Sequence, residues 1–342
     1  FNANVKIEGN GNDVQLAGKY YTGESKMDLQ LNIDSLNLAT IKPFASTQLK
    51  DAGGNLKGNI TIAGTLDKPA VNGNVHFENA FIVPTVLGER FTLPNEKIAI
   101  GAQGINFNKF TLVDSAGNKA IINGDVLTTD FKNYKFALDL NADDFSLINS
   151  TQADNTLFYG KFNTDARIKL SGDMQAPVID ANIRVNKSTA FTLILPTDNP
   201  EVQERQGVVN FIDMDAPKDT LHKINFTDTL FNTAALAGIN LSAIIETDTA
   251  ALFTLIIDER TGDALNLKGK ADLAAGIDES GKLSLTGNYE IEKGSYQLSF
   301  NFLKRKFDIQ KGSVITWTGD PTSATVDIAA LYEVKAPPID LV

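Results

Sequence analysis

Polar and apolar residues alternate over most of the chain. Asn59-Ile60-Thr61-Ile62, Asn74-Val75-His76-Phe77, Arg167-Ile168-Lys169-Leu170, Asn182-Ile183-Arg184-Val185, Lys282-Leu283-Ser284-Leu285 and Thr325-Val326-Asp327-Ile328 all keep period two. A strand with this pattern turns its apolar side chains to one face and its polar ones to the other. Turn signals such as Asp51-Ala52-Gly53-Gly54, Ser115-Ala116-Gly117-Asn118, Asp278-Glu279-Ser280-Gly281 and Gly319-Asp320-Pro321 punctuate these runs. Their spacing of about 8 to 12 residues is that of hairpin-linked all-β proteins. Long 3.6-residue periodicity is missing. One short helix is expected over Pro43 to Leu49, and Asp143 to Gln152 reads as a helical turn or a strand edge.

An internal repeat follows the same pattern. Leu56 to Gly64 leads into Pro69 to Phe77, and Phe162 to Gly172 leads into Pro177 to Val185; Gly64 and Gly172, like Pro69 and Pro177, lie 108 residues apart. Repeated supersecondary units of this kind share one continuous buried face. That weakens the two-domain prior set by 342 residues. Roughly 30 strands at ~4.8 Å each would stack to about 140 Å, and a sheet that wide must curl or split. A curled sheet either fills itself with its own side chains or leaves an elongated apolar groove. Periodicity leaves both open.

Composition removes most chemistries. The chain has no cysteine and only two histidines, His76 and His222. Disulfides, thiolate nucleophiles, Cys-ligated metals and multi-histidine sites are therefore excluded. With 31 Lys and Arg against 42 Asp and Glu, the net charge of -11 argues against a grip on nucleic-acid phosphates. The most apolar stretch, Thr233 to Ile245, is interrupted by Gly238, Asn240 and Ser242 and falls short of the ~20 residues that span a bilayer. The chain opens at Phe1 directly into alternation, and reads as an excerpt of a longer protein.

Candidate catalytic groups have simpler readings. The pairs Asp143-Asp144 and Asp213 with Asp215 resemble the two carboxylates of acid/base catalysis, yet fit solvated loops better. Neither a phosphate loop nor a nucleophile elbow occurs. No enzyme activity and no cofactor are expected. The basic run Lys304, Arg305, Lys306 is either a head-group contact for an anionic lipid or a charged turn between strands. Five Asp-Ser/Thr-apolar triplets, with hydroxyls at Ser35, Ser115, Thr220, Thr229 and Thr249, resemble the short O-glycosylation sites of periplasmic Bacteroidota proteins.

The C-terminal third carries the most specific pattern. Gly262-Asp263-Ala264-Leu265-Asn266-Leu267-Lys268-Gly269-Lys270-Ala271-Asp272-Leu273 comes first. Gly287-Asn288-Tyr289-Glu290-Ile291 and Gly294-Ser295-Tyr296-Gln297-Leu298 follow, then Trp317-Thr318-Gly319-Asp320-Pro321. This order resembles the C-terminal domain of the TamB family, the translocation and assembly module proteins of Gram-negative envelopes. The two Gly/Pro repeats resemble the AsmA-like units of the same superfamily. Leu157-Phe158-Tyr159-Gly160 and Ile256-Ile257-Asp258 resemble its Bacteroidota branch.

The resemblance implies an elongated β-sheet curled into a trough, a β-taco with an apolar groove. Its expected sections are residues 1–158, 159–235 and 236–342, the last a C-terminal domain cut short. It also implies a periplasmic protein bridging inner and outer membranes. An N-terminal inner-membrane anchor would lie outside this sequence, and the outer-membrane partner would be of the BamA family, TamA-like or a lipidated relative. Phospholipid is the implied cargo, and nucleic acid is not a partner. The expected groove lining is Ile60, Ile62, Val71, Val75, Phe77, Ile168, Leu170, Ile179, Ile183, Val185, Leu283, Leu285, Tyr289, Ile291, Tyr296, Leu298, Phe300, Val326 and Ile328. The alternative function is a chaperone-like module that templates strands of outer-membrane proteins. A carbohydrate-active solenoid enzyme ranks last, since no carboxylate cluster supports it.

Overall fold

The computed structural model describes residues 1–195, 236–300 and 303–333. Among these, 21 strands join in one sheet that runs through all three expected sections. In chain order they are β1 (Asn2–Gly9), β2 (Asn12–Tyr21), β3 (Lys26–Asn37), β4 (Leu49–Thr65), β5 (Pro69–Pro84), β6 (Phe91–Leu93), β7 (Lys97–Gly101), β8 (Gly104–Val113), β9 (Lys119–Leu127) and β10 (Lys135–Ser150). Next come β11 (Phe158–Asp173), β12 (Pro177–Val185), β13 (Ala190–Ile194), β14 (Asn240–Thr247), β15 (Leu252–Asp258) and β16 (Asp263–Ile277). The last are β17 (Leu283–Phe300), β18 (Leu303–Ile309), β19 (Ser313–Gly319), β20 (Thr325–Asp327) and β21 (Ala330–Leu331). Strands are fewer than the alternation suggested because they are longer, reaching 18 residues in β17. Neighbours are antiparallel except β12 with β14 and β13 with β15.

The 108-residue repeat is a repeat of structure. In the β4–β5 hairpin Gly64 opposes Pro69 and Ile62 opposes Val71; in the β11–β12 hairpin Gly172 opposes Pro177 and Leu170 opposes Ile179. Gly64 and Gly172 have φ of 90° and 85°, and a Cβ on either would press on a carbonyl oxygen, Lys68 at 2.7 Å or Ala176 at 2.5 Å. Only glycine closes this turn without strain.

Three local expectations change. Asp51-Ala52-Gly53-Gly54 is no turn but lies inside β4, where Gly54, at φ 83°, sits next to a register shift. The helix is a 3-10 segment over Leu38–Phe44, starting earlier than Pro43 because the Asn37 side chain caps the Ala39 N–H and Leu38 is buried. Asp143 to Ser150 belongs to β10, bent by two irregularities.

Those irregularities are part of a pattern. Register shifts occur in β3 between Ile33 and Leu36, in β8 between Phe107 and Phe110, in β10 between Ala142 and Phe145, and in β17 between Ile291 and Lys293. Asn79, Lys109 and Asp144 take positive φ values of 49°, 51° and 46°. On the same row the chain breaks into paired half-strands: β6 and β7 both pair β5, β12 and β13 both pair β11, and β18 and β19 both pair β17. A bulge bends its strand. Bulges and breaks aligned across neighbours bend the whole sheet along one line into a trough with two arms.

Candidate functional site

Register decides which residues share a face, because directly opposed residues in a sheet point the same way. Following the pairs across the sheet yields one apolar row set. Val5 opposes Leu16, Leu16 opposes Leu31, and Leu31 opposes Ile60. Val75 opposes Ile98, Ile98 opposes Phe107, and Leu138 opposes Leu170. Ile183 opposes Ile245, Ile245 opposes Leu273, and Tyr289 opposes Ile315. Intervening residues, such as Lys57, Asn74, Asp139, Lys169 and Arg184, form the exposed outer rows. We call the apolar side the inner face.

The bend line is where this face is packed. Ala52, Ala80, Leu93 and Phe110 form one buried cluster with Leu38, and Phe91, Ala120, Ala142, Phe145 and Ala166 form a second. Phe91 and Phe145 stack at 5.5 Å. A third cluster holds Leu267, Ala271, Tyr289, Ile291, Ile309 and Ile315. The Tyr289 hydroxyl is buried with no hydrogen-bond partner among the described residues, and burial pushes its pKa above the ordinary tyrosine value. Away from the line the apolar side chains stay half-buried, as at Ile60, Ile62, Val71, Val75, Leu170, Ile179, Ile183, Leu283 and Leu285.

Among residues with described side chains, the expected lining positions with a cross-strand partner fall on the inner face, including Phe77, opposite Leu56, and Ile168, opposite Leu140. Phe300 pairs with Leu303 at the end of β17, and its side chain lies outside the described residues. The lining positions differ in exposure. Val185, Tyr289 and Ile291 are sealed by packing, at 2 %, 7 % and 0 % exposure, and support the wall instead of offering surface. Val326 stands at an edge strand, 57 % exposed. Tyr296, Leu298 and Ile328 meet in an open depression of about 420 Å³ with Ile257, Leu265, Phe307, Ile309 and Ala330. Other inner-row residues, such as Ile98, Ile100, Ile105, Phe136 and Leu138, escaped the expected set although Lys97 to Ile100 and Lys135 to Leu140 carry the same alternation.

The basic triplet is divided by the pleat. Arg305 opposes Leu298 on the inner face, whereas Lys306 opposes Gln297 on an outer row; the Lys304 side chain lies outside the described residues. Lys306 pairs with Asp308 at 3.1 Å.

The acidic residues hold turns and bulges. Asp143 accepts from Arg167 at 2.7 Å. Asp165 accepts from the Asn186 amide at 3.0 Å and from the Asp144 N–H at 2.7 Å, and these bonds hold its carboxyl below the usual range. Glu89, fully buried, accepts from the Ser115 N–H at 2.8 Å, and Asp114 accepts from the Ser146 N–H at 2.8 Å. Together they pin the chain between β5 and β6 to the turn between β8 and β9, and that turn to β10. His76 contacts Asn95 on the outer side. Among the described residues no group of three or more acidic or histidine side chains is placed to hold a metal, and no helix is long and apolar enough to cross a membrane.

Of the five hydroxyls, Ser115 and Thr249 are exposed at turn tips, where Asp114 and Asp248 each accept the N–H two residues on, at 2.9 and 2.8 Å. Ser35 is half-buried and donates to the Gly11 carbonyl at 2.9 Å. Thr220 and Thr229, like Asp213, Asp215 and His222, lie outside the described residues.

Comparison with known proteins agrees with this architecture. The TamB C-terminal domain matches residues 108–341, and the TamB N-terminal domain matches residues 1–77. Neither a curated protein nor a solved structure matches the chain. The C-terminal match alone spans more than half of the sequence, and the chain belongs to the TamB family.

Proposed function

We propose that the inner face carries the acyl chains of phospholipids through the periplasm, within the envelope translocation and assembly role that membership of the TamB family implies. The observation that carries this reading is the continuous apolar face whose side chains stay half-buried away from the bend line. Exposing an acyl chain to water costs ~0.8 kcal/mol per CH₂, on the order of tens of kcal/mol for two long chains. A wall of aliphatic side chains removes that cost at every point of the path while head groups remain in solvent at the open mouth. Such a conduit needs neither nucleophile nor metal.

In this reading the chain is one section of a bridge from an inner-membrane anchor to an outer-membrane partner of the BamA family. A photocrosslinking residue at Ile62 or Ile183 in the native protein is expected to capture phospholipid, while one at outer-row Arg184 captures none. Equal capture from both faces would refute the conduit. Capture of outer-membrane protein strands instead of lipid would favour strand templating.

A further inference from the structure

Among the described residues, the inner face carries one basic residue at a paired position. Arg305 lies opposite Leu298, in a row continued by Phe307 opposite Tyr296 and Ile309 opposite Gly294. Every other Lys or Arg with a cross-strand partner in the described sheet, from Lys6 in β1 to Lys306 in β18, occupies an outer row. Arg305 is exposed, so its guanidinium stays in water, open to a ligand, beside an otherwise apolar wall.

Its described neighbours supply no countercharge. Among the described residues no carboxylate pairs with Arg305; the guanidinium instead lies over the Tyr332 ring, 5.2 Å from its centroid. Asp263, two residues before Leu265 in β16, is engaged by the Ser299 N–H at 2.6 Å. Next to Arg305 opens the depression walled by Leu265, Tyr296, Leu298, Phe307, Ile309 and Ile328. Leu298 belongs to both: it forms part of the wall and is the cross-strand partner of Arg305.

We propose that the depression and Arg305 form one station for an anionic amphiphile, with its alkyl chain in the depression and its phosphate on the guanidinium. The proposal rests on the reading of the inner face as an acyl-chain surface and adds a head-group preference at one place. The planar guanidinium suits a phosphate, which it meets with two parallel N–H donors. Lys306 cannot share the role, since the pleat turns its register position outward.

The test is calorimetric titration of the protein with decyl phosphate, decyl maltoside and inorganic phosphate, each below micelle formation. Decyl phosphate is expected to bind about ten-fold more tightly than decyl maltoside, the scale of a charge-assisted contact. Inorganic phosphate alone should show no binding. Arg305→Gln should erase the preference and leave decyl maltoside unchanged, Arg305→Lys should keep part of it, and Lys306→Gln should keep all of it. Leu298→Asp, with its fold checked by circular dichroism, should weaken both amphiphiles. Equal binding of the two amphiphiles, an unchanged preference in Arg305→Gln, or inorganic phosphate binding as tightly as decyl phosphate would overturn the station. No binding of either amphiphile would overturn the reading of the inner face itself.

Discussion

The bend line and the open arm are built from the same strands, yet they use different side chains. Along the bend, small residues such as Ala52, Ala80, Ala142, Ala166 and Ala271 alternate with sealed larger ones such as Phe110, Phe145 and Ile291. On the arm, Ile60, Ile62, Val71, Ile179 and Ile183 share the inner face and stay half-buried. Small residues let neighbouring segments approach closely, so the bend packs as a core. Branched aliphatics on a concave face keep the arm apolar without filling it. The difference separates holding the fold from offering surface.

Phe145→Ala probes the bend most directly. Phe145 is 4 % exposed and stacked on Phe91, and its truncation is expected to cost about 3 to 5 kcal/mol in urea unfolding. A loss below about 1 kcal/mol would mean the bend is not the core. Gly124→Ala comes next. Gly124 has φ 115° and a Cβ there would run into the Ala137 carbonyl, so about 2 kcal/mol should be lost.

Ile183→Glu inverts the comparison. Half-buried on the arm, it is expected to change stability by about 1 kcal/mol or less while abolishing lipid capture from neighbouring crosslinker positions. A folded variant with full capture would break the distinction between the two regions.

The smallest effect is the acid response. Asp130 accepts backbone N–H bonds from Asn133 and Lys132 and an amide bond from Asn133, which hold its carboxyl well below the usual range. Asp154, beside Lys50, and Asp278, beside the Ser280 hydroxyl, are lowered as well. A depressed folded-state pKa gives stability that is present above the unfolded value and lost as pH falls through the folded one. The denaturation midpoint should therefore fall below about pH 4, and Asp130→Asn should flatten that fall. An identical acid profile in Asp130→Asn would remove that carboxylate from the account.

Much of this was legible in the chain. Alternation at Asn59 to Ile62 and Asn182 to Val185 gave strands and faces, and Gly64-to-Pro69 with Gly172-to-Pro177 gave the repeated hairpin. The bend was not. Asp51-Ala52-Gly53-Gly54 has the composition of a turn but lies inside β4. Asn79, Lys109 and Asp144 carry no sequence mark that separates them from other polar strand residues, and only their alignment across neighbours makes them a line. The Lys304-Arg305-Lys306 run likewise gives its charge in sequence and its division only in register.

What the sequence by itself determined is a period-two pattern consistent enough to commit one face of every strand to apolar contact, because successive side chains must point to opposite sides of a sheet. What only the tertiary structure decided is how deep each position on that face lies. Depth depends on where bulges in separate strands fall into one row, and that is a property of pairing between segments tens of residues apart. Val185 and Ile183 are two residues apart on the same face, yet one is sealed in the bend and the other lines the arm.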